Sequence, residues 1–415
     1  MLADSSPLPA PILLRRRRAA AILGCFCFLL IGWSSLVVPS LVRQIETDFG
    51  QSDAGLGLFY LVNSIAYAVG SVAGGMATER FGRRSILVLA AVLHGVGLAA
   101  QGSVLSWGVF LLAGIPRGLG SGAIDGGVNG LILDLYPEAR GRALNAAHLF
   151  FAIGALGAPF AVGALTEANV PWQVLVEATA LVSFPLAALL AVADLADGRR
   201  RPAEPATHAV SQAAMAGAPV PARFGLALPL LALGVAIGCY VASEMGVSSW
   251  LVRFLAAAPM AQASSALGLY WAGLALGRLV SARVADRFDH LSLAVAAALV
   301  ASVALIGAVV VPALPVSIVL FGVVGFASGP IYPMIMAVGG ERFPDRAAAL
   351  SGILAGAAVT GSVVYPPLMG FLSVSIGLPA AMLGTALLGF GCVVTLLMAG
   401  RMAAPVPVGR EAKAA

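Results

Sequence analysis

The sequence predicts an all-α membrane protein with twelve transmembrane helices in two parallel six-helix halves. Composition, the number of long apolar segments and an internal repeat support this prediction. Of the 415 residues, 60% are hydrophobic and 10% are charged, and the mean hydropathy is +0.96. A soluble protein carries about 25% charged residues. The shortage of charge indicates that most of the surface meets lipid.

A transmembrane helix needs about 20 largely apolar residues, and twelve segments satisfy this requirement. The predicted spans of the first half are 19–42, 54–78, 85–103, 106–133, 143–166 and 170–193. Those of the second half are 223–251, 262–285, 291–311, 313–338, 347–372 and 377–400. We therefore expect an N-terminal tail, a six-helix bundle, a linker, a second six-helix bundle and a C-terminal tail, at 1–18, 19–193, 194–222, 223–400 and 401–415.

The positions of the arginines predict the orientation of the chain. Loops on the cytoplasmic side of a membrane carry an excess of Lys and Arg. With the N-terminus inside, the outward loops contain only Arg43 and Arg253, and the arginine clusters of the loops and tails all face inward. The prediction is a multi-pass protein of the cytoplasmic membrane with both termini and the linker in the cytoplasm. The net charge of +5 reflects this orientation and does not indicate nucleic-acid binding.

An internal repeat becomes visible when the chain is shifted by 207 positions. The shift superposes Gly118 on Gly325 and Asp125 on Tyr332, and it also superposes two charged stretches, 79–81 on 286–288 and 137–138 on 344–345. Six spans per half in the same orientation predict a pseudo-two-fold axis along the membrane normal, with cargo near the midplane between the halves. Asp125 has no acidic mate in the second half, which favours a role in handling cargo or ions.

The fourth predicted span carries a polar stripe. Arg117, Ser121, Asp125 and Asn129 recur at every fourth residue, so a helix places them along one face. A charged side chain at the bilayer centre costs about 3 kcal/mol on insertion scales, so the stripe must face protein, water or cargo. Arg117 precedes Asp125 by about 12 Å of helical rise. No direct pair is expected, and Arg117 would bind backbone carbonyls or an anionic group of the cargo.

The loop after the second predicted span reads Gly75-Met-Ala-Thr-Glu79-Arg80-Phe-Gly82-Arg83-Arg84. This stretch resembles the signature loop of the major facilitator superfamily. A weaker copy follows the eighth span, and the resemblance covers nearly the whole chain. It implies twelve helices in the fold of that superfamily and a loop that locks the inner gate. The gating residues that it implies are Gly75, Glu79, Arg80, Gly82, Arg83 and Arg84, with Asp286 and Arg287 in the copy.

Three further stretches, 122–129, 144–159 and 240–251, resemble the fucose/glucose–proton symporter group of that superfamily. The resemblance implies proton-driven import of a hexose or similar polyol, with Asp125 and Asn129 in the coupling site. One departure concerns the first span, where some sugar symporters have an acid. The matching region here, 33–39, has none.

The remaining candidate residues are polar or aromatic groups inside predicted spans. A buried carboxyl or imidazole can exchange a proton as its exposure changes, and aromatic faces with polar tips can stack on sugar rings. We predict proton coupling by Asp125, Glu244 and His148. The short loop before the fifth span places His148 near the depth of Asn129 and within about a turn of Asp125. The predicted substrate-binding residues are Asn129, Asn145, Trp271, Tyr332 and Arg117.

Other function classes find less support in the sequence. It has no phosphate-binding loop, so the expected energy source is a proton gradient and no cofactor is expected. Its four cysteines lack disulfide or metal spacing, and no nucleophile–base arrangement suggests an enzyme. The expected partners are a small solute, a proton and the lipid bilayer, with a monomer as the functional form. Proton-driven efflux of a drug or metabolite is the alternative, and a membrane sensor without transport is a second one.

Overall fold

The computed structural model describes residues 10–136, 140–193, 195, 228–343 and 347–401, and no strand occurs among them. Most of the predicted linker and tails lies outside these residues. The helices of the first half are α1 Ala10–Phe49, α2 Asp53–Phe81, α3 Arg83–Ser103, α4 Trp107–Leu135, α5 Arg140–Glu167 and α6 Trp172–Val192. Those of the second half are α7 Leu228–Phe254, α8 Met260–Val284, α9 His290–Val310, α10 Leu314–Ser328, α11 Ile331–Arg342, α12 Ala347–Ile376 and α13 Leu378–Arg401.

The described helices confirm the predicted all-α architecture with twelve spans, because α10 and α11 are the two parts of one span. Ten segments, with Leu314–Arg342 taken as one, are long and apolar enough to cross a membrane. The other two, α4 and α8, have 29 and 25 residues and are therefore long enough as well. The polar stripe of α4 lowers its apolar character, as expected for a helix that faces protein or cargo rather than lipid.

Most helices begin and end within a few residues of their predicted bounds, and two depart further. The predicted span 313–338 is interrupted between α10 and α11, because Pro330 has no N–H group to continue the helical ladder. The helix α1 begins at Ala10, nine residues before the predicted start at 19, so part of the predicted tail is helical. It also continues seven residues past the predicted end at 42 and includes Arg43 and Glu46. It ends where Gly50 adopts a φ of 60°, a left-handed conformation that favours glycine.

The chain divides into two compact units. One unit comprises Met1–Ala203 and Ser249–Trp271, and the other comprises Glu204–Ser248 and Ala272–Ala415. Each unit has its own apolar core. In the first unit the core includes Phe28, Leu87 and Ile124, which are fully buried. In the second it includes Leu233, Ile335 and Leu396, also fully buried.

The close contacts of glycines show that both units contain the same helix crossing. A Cβ atom on Gly122 would lie 2.0 Å from the Tyr67 carbonyl oxygen, so α4 touches α2 backbone to backbone. In the second unit, a Cβ atom on Gly329 would lie 2.6 Å from the Leu274 carbonyl oxygen. Each of these second-unit residues is 207 positions after its counterpart. The parallel repeat predicted from the sequence is therefore also a repeat of helix packing.

Candidate functional site

Asp125 lies on α4, partly buried, and accepts two hydrogen bonds within the first unit. The Tyr67 hydroxyl of α2 donates to Oδ2 at 2.8 Å, and the Asn129 amide, one turn later on α4, donates to Oδ1 at 3.2 Å. The close approach of α2 and α4 at Gly122 brings the tyrosine within reach. Both carboxylate oxygens therefore have a polar partner, as a charged or titrating group inside a membrane protein requires.

His148 of α5 extends this cluster through Asn129. Its Nε2 lies 3.0 Å from Asn129 Oδ1, and its ring lies 4.6 Å from that of Phe28. Because the Asn129 nitrogen donates to Asp125, its oxygen must accept here, which assigns the proton to His148 Nε2. The result is a continuous chain of hydrogen bonds that runs from His148 through Asn129 and Asp125 to Tyr67. We call these four residues the Asp125 cluster.

The sequence placed three members of the Asp125 cluster near one another but missed Tyr67. Its counterpart 207 positions later is Leu274, so Tyr67 has no polar mate in the second half, just as Asp125 has no acidic one. That comparison could have found it. The side chain of Asn145, another predicted binding residue, lies outside the described residues.

Arg117 is separated from Asp125, as helix geometry predicted. Its side chain points toward α1, where Nη2 donates to the Ser34 carbonyl oxygen at 2.6 Å. The residue is only 4% exposed, and Nε and Nη1 have no hydrogen-bond partner in the described part of the chain. A backbone carbonyl, one of the two expected kinds of partner, is therefore the one observed.

His94 of α3 is a second polar residue that the sequence analysis did not single out. It is fully buried, with Nε2 at 2.9 Å from Ser34 Oγ and Nδ1 at 3.0 Å from Ser183 Oγ. Ser34 Oγ donates to the Ile31 carbonyl oxygen at 3.2 Å, so it accepts from His94 Nε2–H. His94 thus holds in place the residue whose carbonyl binds Arg117, and its own two nitrogens are both satisfied.

The remaining candidates lie in different surroundings. In the second unit, Glu244 is 7% exposed and pairs with Arg278 Nη2 at 3.9 Å, while Tyr332 packs against the apolar core. In the first unit, Trp271 is 5% exposed and packs against the rings of Tyr270 and Phe151, each 6.4 Å away between ring centres. Their roles in coupling and binding remain predictions.

The predicted gating loop forms the junction of α2 and α3. Gly82 has a φ of 86° and donates its N–H to the Thr78 carbonyl oxygen, which ends α2 and allows the chain to turn. Arg83 is 8% exposed, and its Nη2 lies 2.5 Å from Asp134 Oδ2 near the end of α4. Arg84 Nη2 donates to the Ala193 carbonyl oxygen at 2.6 Å. The loop therefore ties α3 to the ends of α4 and α6.

The other gating candidates make fewer contacts. A Cβ atom on Gly75 would meet nothing within 4 Å, and Arg80 is exposed above the ring of Phe81. In the copy of the loop, Arg287 ends a short 3-10 turn, Ala285–Arg287, and is exposed. The side chains of Glu79 and Asp286 lie outside the described residues.

Arg83→Gln is expected to lower the free energy of unfolding by about 1 kcal/mol, since it removes the guanidinium that lies 2.5 Å from Asp134. Thermal unfolding in detergent measures the change. Arg80→Gln is the control and should leave the unfolding temperature unchanged. In the double variant Arg83→Gln/Asp134→Asn the two losses should not add, because both substitutions remove one interaction. Additive losses would contradict the ion pair.

Comparisons with known proteins agree with this fold. A sequence model of the family described as "Major Facilitator Superfamily" matches residues 22–257 and 222–415. A stretch of 100 residues is 31% identical to the "MFS-type efflux transporter ffsH" of Aspergillus flavipes, and it spans 24% of this chain and 18% of that protein.

Three solved structures share the fold at low sequence identity. A bacterial homolog of the human lysosomal transporter Spinster superposes with a TM-score of 0.76 at 16% identity, covering 95% of this chain and 98% of that one. A D-xylose-proton symporter gives 0.73 at 18%, covering 93% and 97%. The E. coli fucose:proton symporter FucP gives 0.60 at 19%, covering 92% and 98%.

Proposed function

We propose, from the premise that this chain belongs to the major facilitator superfamily of membrane transporters, that it imports a hexose-like sugar together with a proton. The observation that carries the proposal is the Asp125 cluster. It combines one carboxyl group with an amide, an imidazole and a phenol, which are the groups that bind sugar hydroxyls and exchange protons. Solved sugar–proton symporters share the fold, which supports the proposal without fixing the cargo.

In the proposed mechanism Asp125 carries the proton. When Asp125 is ionised, its two oxygens accept from Tyr67 and Asn129. When it is protonated, the oxygen that carries the proton becomes a donor, so the partner that donated to that oxygen is released to rearrange around cargo. Neutralising the carboxyl also removes the cost of carrying a charge through an apolar environment. Proton binding and cargo binding thereby act on the same hydrogen bonds.

The other predicted residues complete the proposed site. His148 is in position to pass a proton toward Asp125 through Asn129, and Glu244 is proposed as a second coupling group in the other unit. Cargo contacts are proposed for Asn129, Asn145, Trp271, Tyr332 and Arg117. The energy source is the proton gradient across the cytoplasmic membrane, both termini are cytoplasmic, and a single chain is the working unit.

Proton-driven efflux is the second candidate, and two observations favour it. The curated relative that matches part of the chain is an efflux transporter. The first span also lacks the acid found in some sugar symporters. In the same region, the Ser34 carbonyl oxygen accepts a hydrogen bond from Arg117 and the Ser34 hydroxyl is bonded to His94, so these groups already have protein partners.

The test is uptake of radiolabelled hexoses by proteoliposomes with an alkaline interior. We expect accumulation above the external concentration, abolished by a protonophore and absent from protein-free liposomes. If no hexose accumulates while a preloaded dye is expelled under the same alkaline interior, as protons enter in exchange for it, efflux is the function. Saturable binding of a solute without flux would indicate a sensor.

A further inference from the structure

Asn63 of α2 is a polar residue inside a membrane span that has no part in the proposed mechanism. The segment Asp53–Thr78 of this helix is long and apolar enough to cross a membrane, and Asn63 lies ten residues after Asp53. Ten residues correspond to about 15 Å of rise, which is about half of the hydrocarbon thickness of a bilayer. Asn63 therefore lies near the midplane, the depth at which a secondary transporter holds its cargo.

Two backbone contacts place Asn63 directly beside α4. A Cβ atom on Gly118 would lie 2.7 Å from the Asn63 carbonyl oxygen, and a Cβ atom on Gly122 would lie 2.0 Å from that of Tyr67. The members of each pair are 55 residues apart, so α2 and α4 run side by side in the same direction over this turn. Asn63 and Tyr67 are four residues apart and share the face of α2 that touches α4.

The side chains along this contact follow one register. The Tyr67 hydroxyl donates to Asp125, which is 58 residues later, and the same offset places Asn63 at the level of Ser121. Ser121 has one hydroxyl hydrogen, and it is donated to the Arg117 carbonyl oxygen at 2.9 Å. The α4 side chain at the level of Asn63 therefore has no hydrogen left to donate to it.

The Asn63 amide carries an unsatisfied acceptor. Within the part of the chain that the structure describes, its Oδ1 atom is buried and accepts no hydrogen bond, although the residue as a whole is partly exposed. A buried acceptor without a donor raises the free energy of the protein, so the side chain gains whenever a donor comes within reach. The broad χ2 torsion of asparagine lets the amide turn toward its exposed side at little cost.

Gln101 of α3 shows what distinguishes Asn63. Its Oε1 atom is also buried and unbonded within the described residues, and its amide nitrogen donates to the Phe110 carbonyl oxygen at 3.4 Å. Gln101 is fully buried, however, so no part of it is open to a ligand. Asn63 combines an unsatisfied acceptor with a partly exposed side chain, and a ligand can therefore reach it.

We propose that Asn63 binds a hydroxyl group of the cargo through Oδ1 and extends the Asp125 cluster by one turn of α2. This role rests on the proposed function, because it takes a sugar as the cargo. Asn63 and Tyr67 are separated by about 6 Å of rise, which is close to the distance between hydroxyl groups at opposite ends of a pyranose ring. One ring can place one hydroxyl on the Asp125 cluster and a second on Asn63. Asn63 then selects cargo that has a hydroxyl at that second position.

The test compares a hexose with its monodeoxy analogues in proteoliposomes that contain the full-length protein. Labelled D-glucose, D-galactose and L-fucose are tried under an alkaline interior, and the sugar that accumulates is competed with each of its monodeoxy forms. Asn63→Ala should raise the KM for the parent sugar about three- to tenfold, as expected for one hydrogen bond between uncharged groups, and leave kcat within a few-fold of wild type. One monodeoxy analogue should bind about three- to tenfold more weakly than the parent sugar in wild type and equally well in Asn63→Ala. The penalties of the other analogues should persist.

Two further variants separate a cargo contact from an effect on packing. Asn63→Leu fills the space of the asparagine without an acceptor, so it should match Asn63→Ala even if the smaller side chain lowers the yield. Gln101→Ala removes an inaccessible amide and should leave the KM and every penalty unchanged. An equal change in Gln101→Ala would overturn the role of Asn63.

The outcomes also distinguish this role from the proposed function. If wild type accumulates a hexose while both Asn63 variants keep its KM and all of its deoxy penalties, sugar import stands and the role of Asn63 is overturned. If wild type accumulates none of the three hexoses, the proposed function fails and the role of Asn63 fails with it.

Discussion

Asp125→Asn abolishes gradient-driven accumulation of cargo and leaves exchange of cargo across the membrane in place. The asparagine keeps the size of the side chain and one oxygen acceptor, but it cannot take up a proton. Accumulation in proteoliposomes should fall to the level of protein-free liposomes, while exchange of labelled for unlabelled cargo stays within a few-fold of wild type. Measuring accumulation and exchange on the same preparation of proteoliposomes shows whether the substitution removes one activity and keeps the other.

Glu177→Gln is the matched control for this prediction. It makes the same chemical change at a carboxylate near the predicted outer end of α6, where Glu177 accepts a hydrogen bond from Ser103. Accumulation by Glu177→Gln should equal that of wild type. Loss of both accumulation and exchange in Asp125→Asn would make Asp125 a residue of binding or folding, and full accumulation would exclude it from coupling.

Gly122→Ala should destabilise the first unit strongly, because the new Cβ atom would lie 2.0 Å from the Tyr67 carbonyl oxygen and 2.6 Å from the Ser71 nitrogen. Both atoms belong to the backbone of α2, so no side chain can move aside and the two helices must separate. Overpacking in a close-packed interior costs about 1–3 kcal/mol and occasionally more, and we expect a loss at or above the upper end. Thermal unfolding in detergent measures it.

The same helix supplies a control for Gly122→Ala. A Cβ atom on Gly108 would meet nothing within 4 Å, so Gly108→Ala should leave the unfolding temperature unchanged or slightly raised. The repeat adds a second check, since Gly329→Ala should destabilise the second unit for the same reason. Equal stability of the Gly122→Ala and Gly108→Ala proteins would contradict the close crossing of α2 and α4.

The sequence predicted those parts of the site that depend on one helix. Asp125 and Asn129 are four residues apart, so the helical period alone places them on one face, and the structure shows them in contact. His148 could be placed near Asn129 because a short loop fixes its depth in the next span. The 207-residue repeat likewise predicted two parallel halves. The close helix contacts at Gly122 and Gly329, which are 207 residues apart, agree with it.

Contacts that depend on the rotation of two helices escaped prediction. In a water-soluble bundle the apolar face of a helix points to the core, but in a membrane the lipid-facing side is apolar as well. The pattern of α2 and α3 therefore does not reveal which way Tyr67 and His94 point. The ion pairs of Arg253 with Glu46 and Asp53 were missed for another reason, since Arg253 was interpreted only as an outward loop residue and α1 was expected to end before Glu46.

The most direct test of proton-coupled import by the Asp125 cluster is the pH of the medium when cargo is added to proteoliposomes in weak buffer. We predict that a transported hexose makes the medium alkaline in wild type, as protons enter with it, and that Asp125→Asn removes the signal. Acidification on adding cargo, or an unchanged alkaline signal in Asp125→Asn, would contradict proton symport through Asp125.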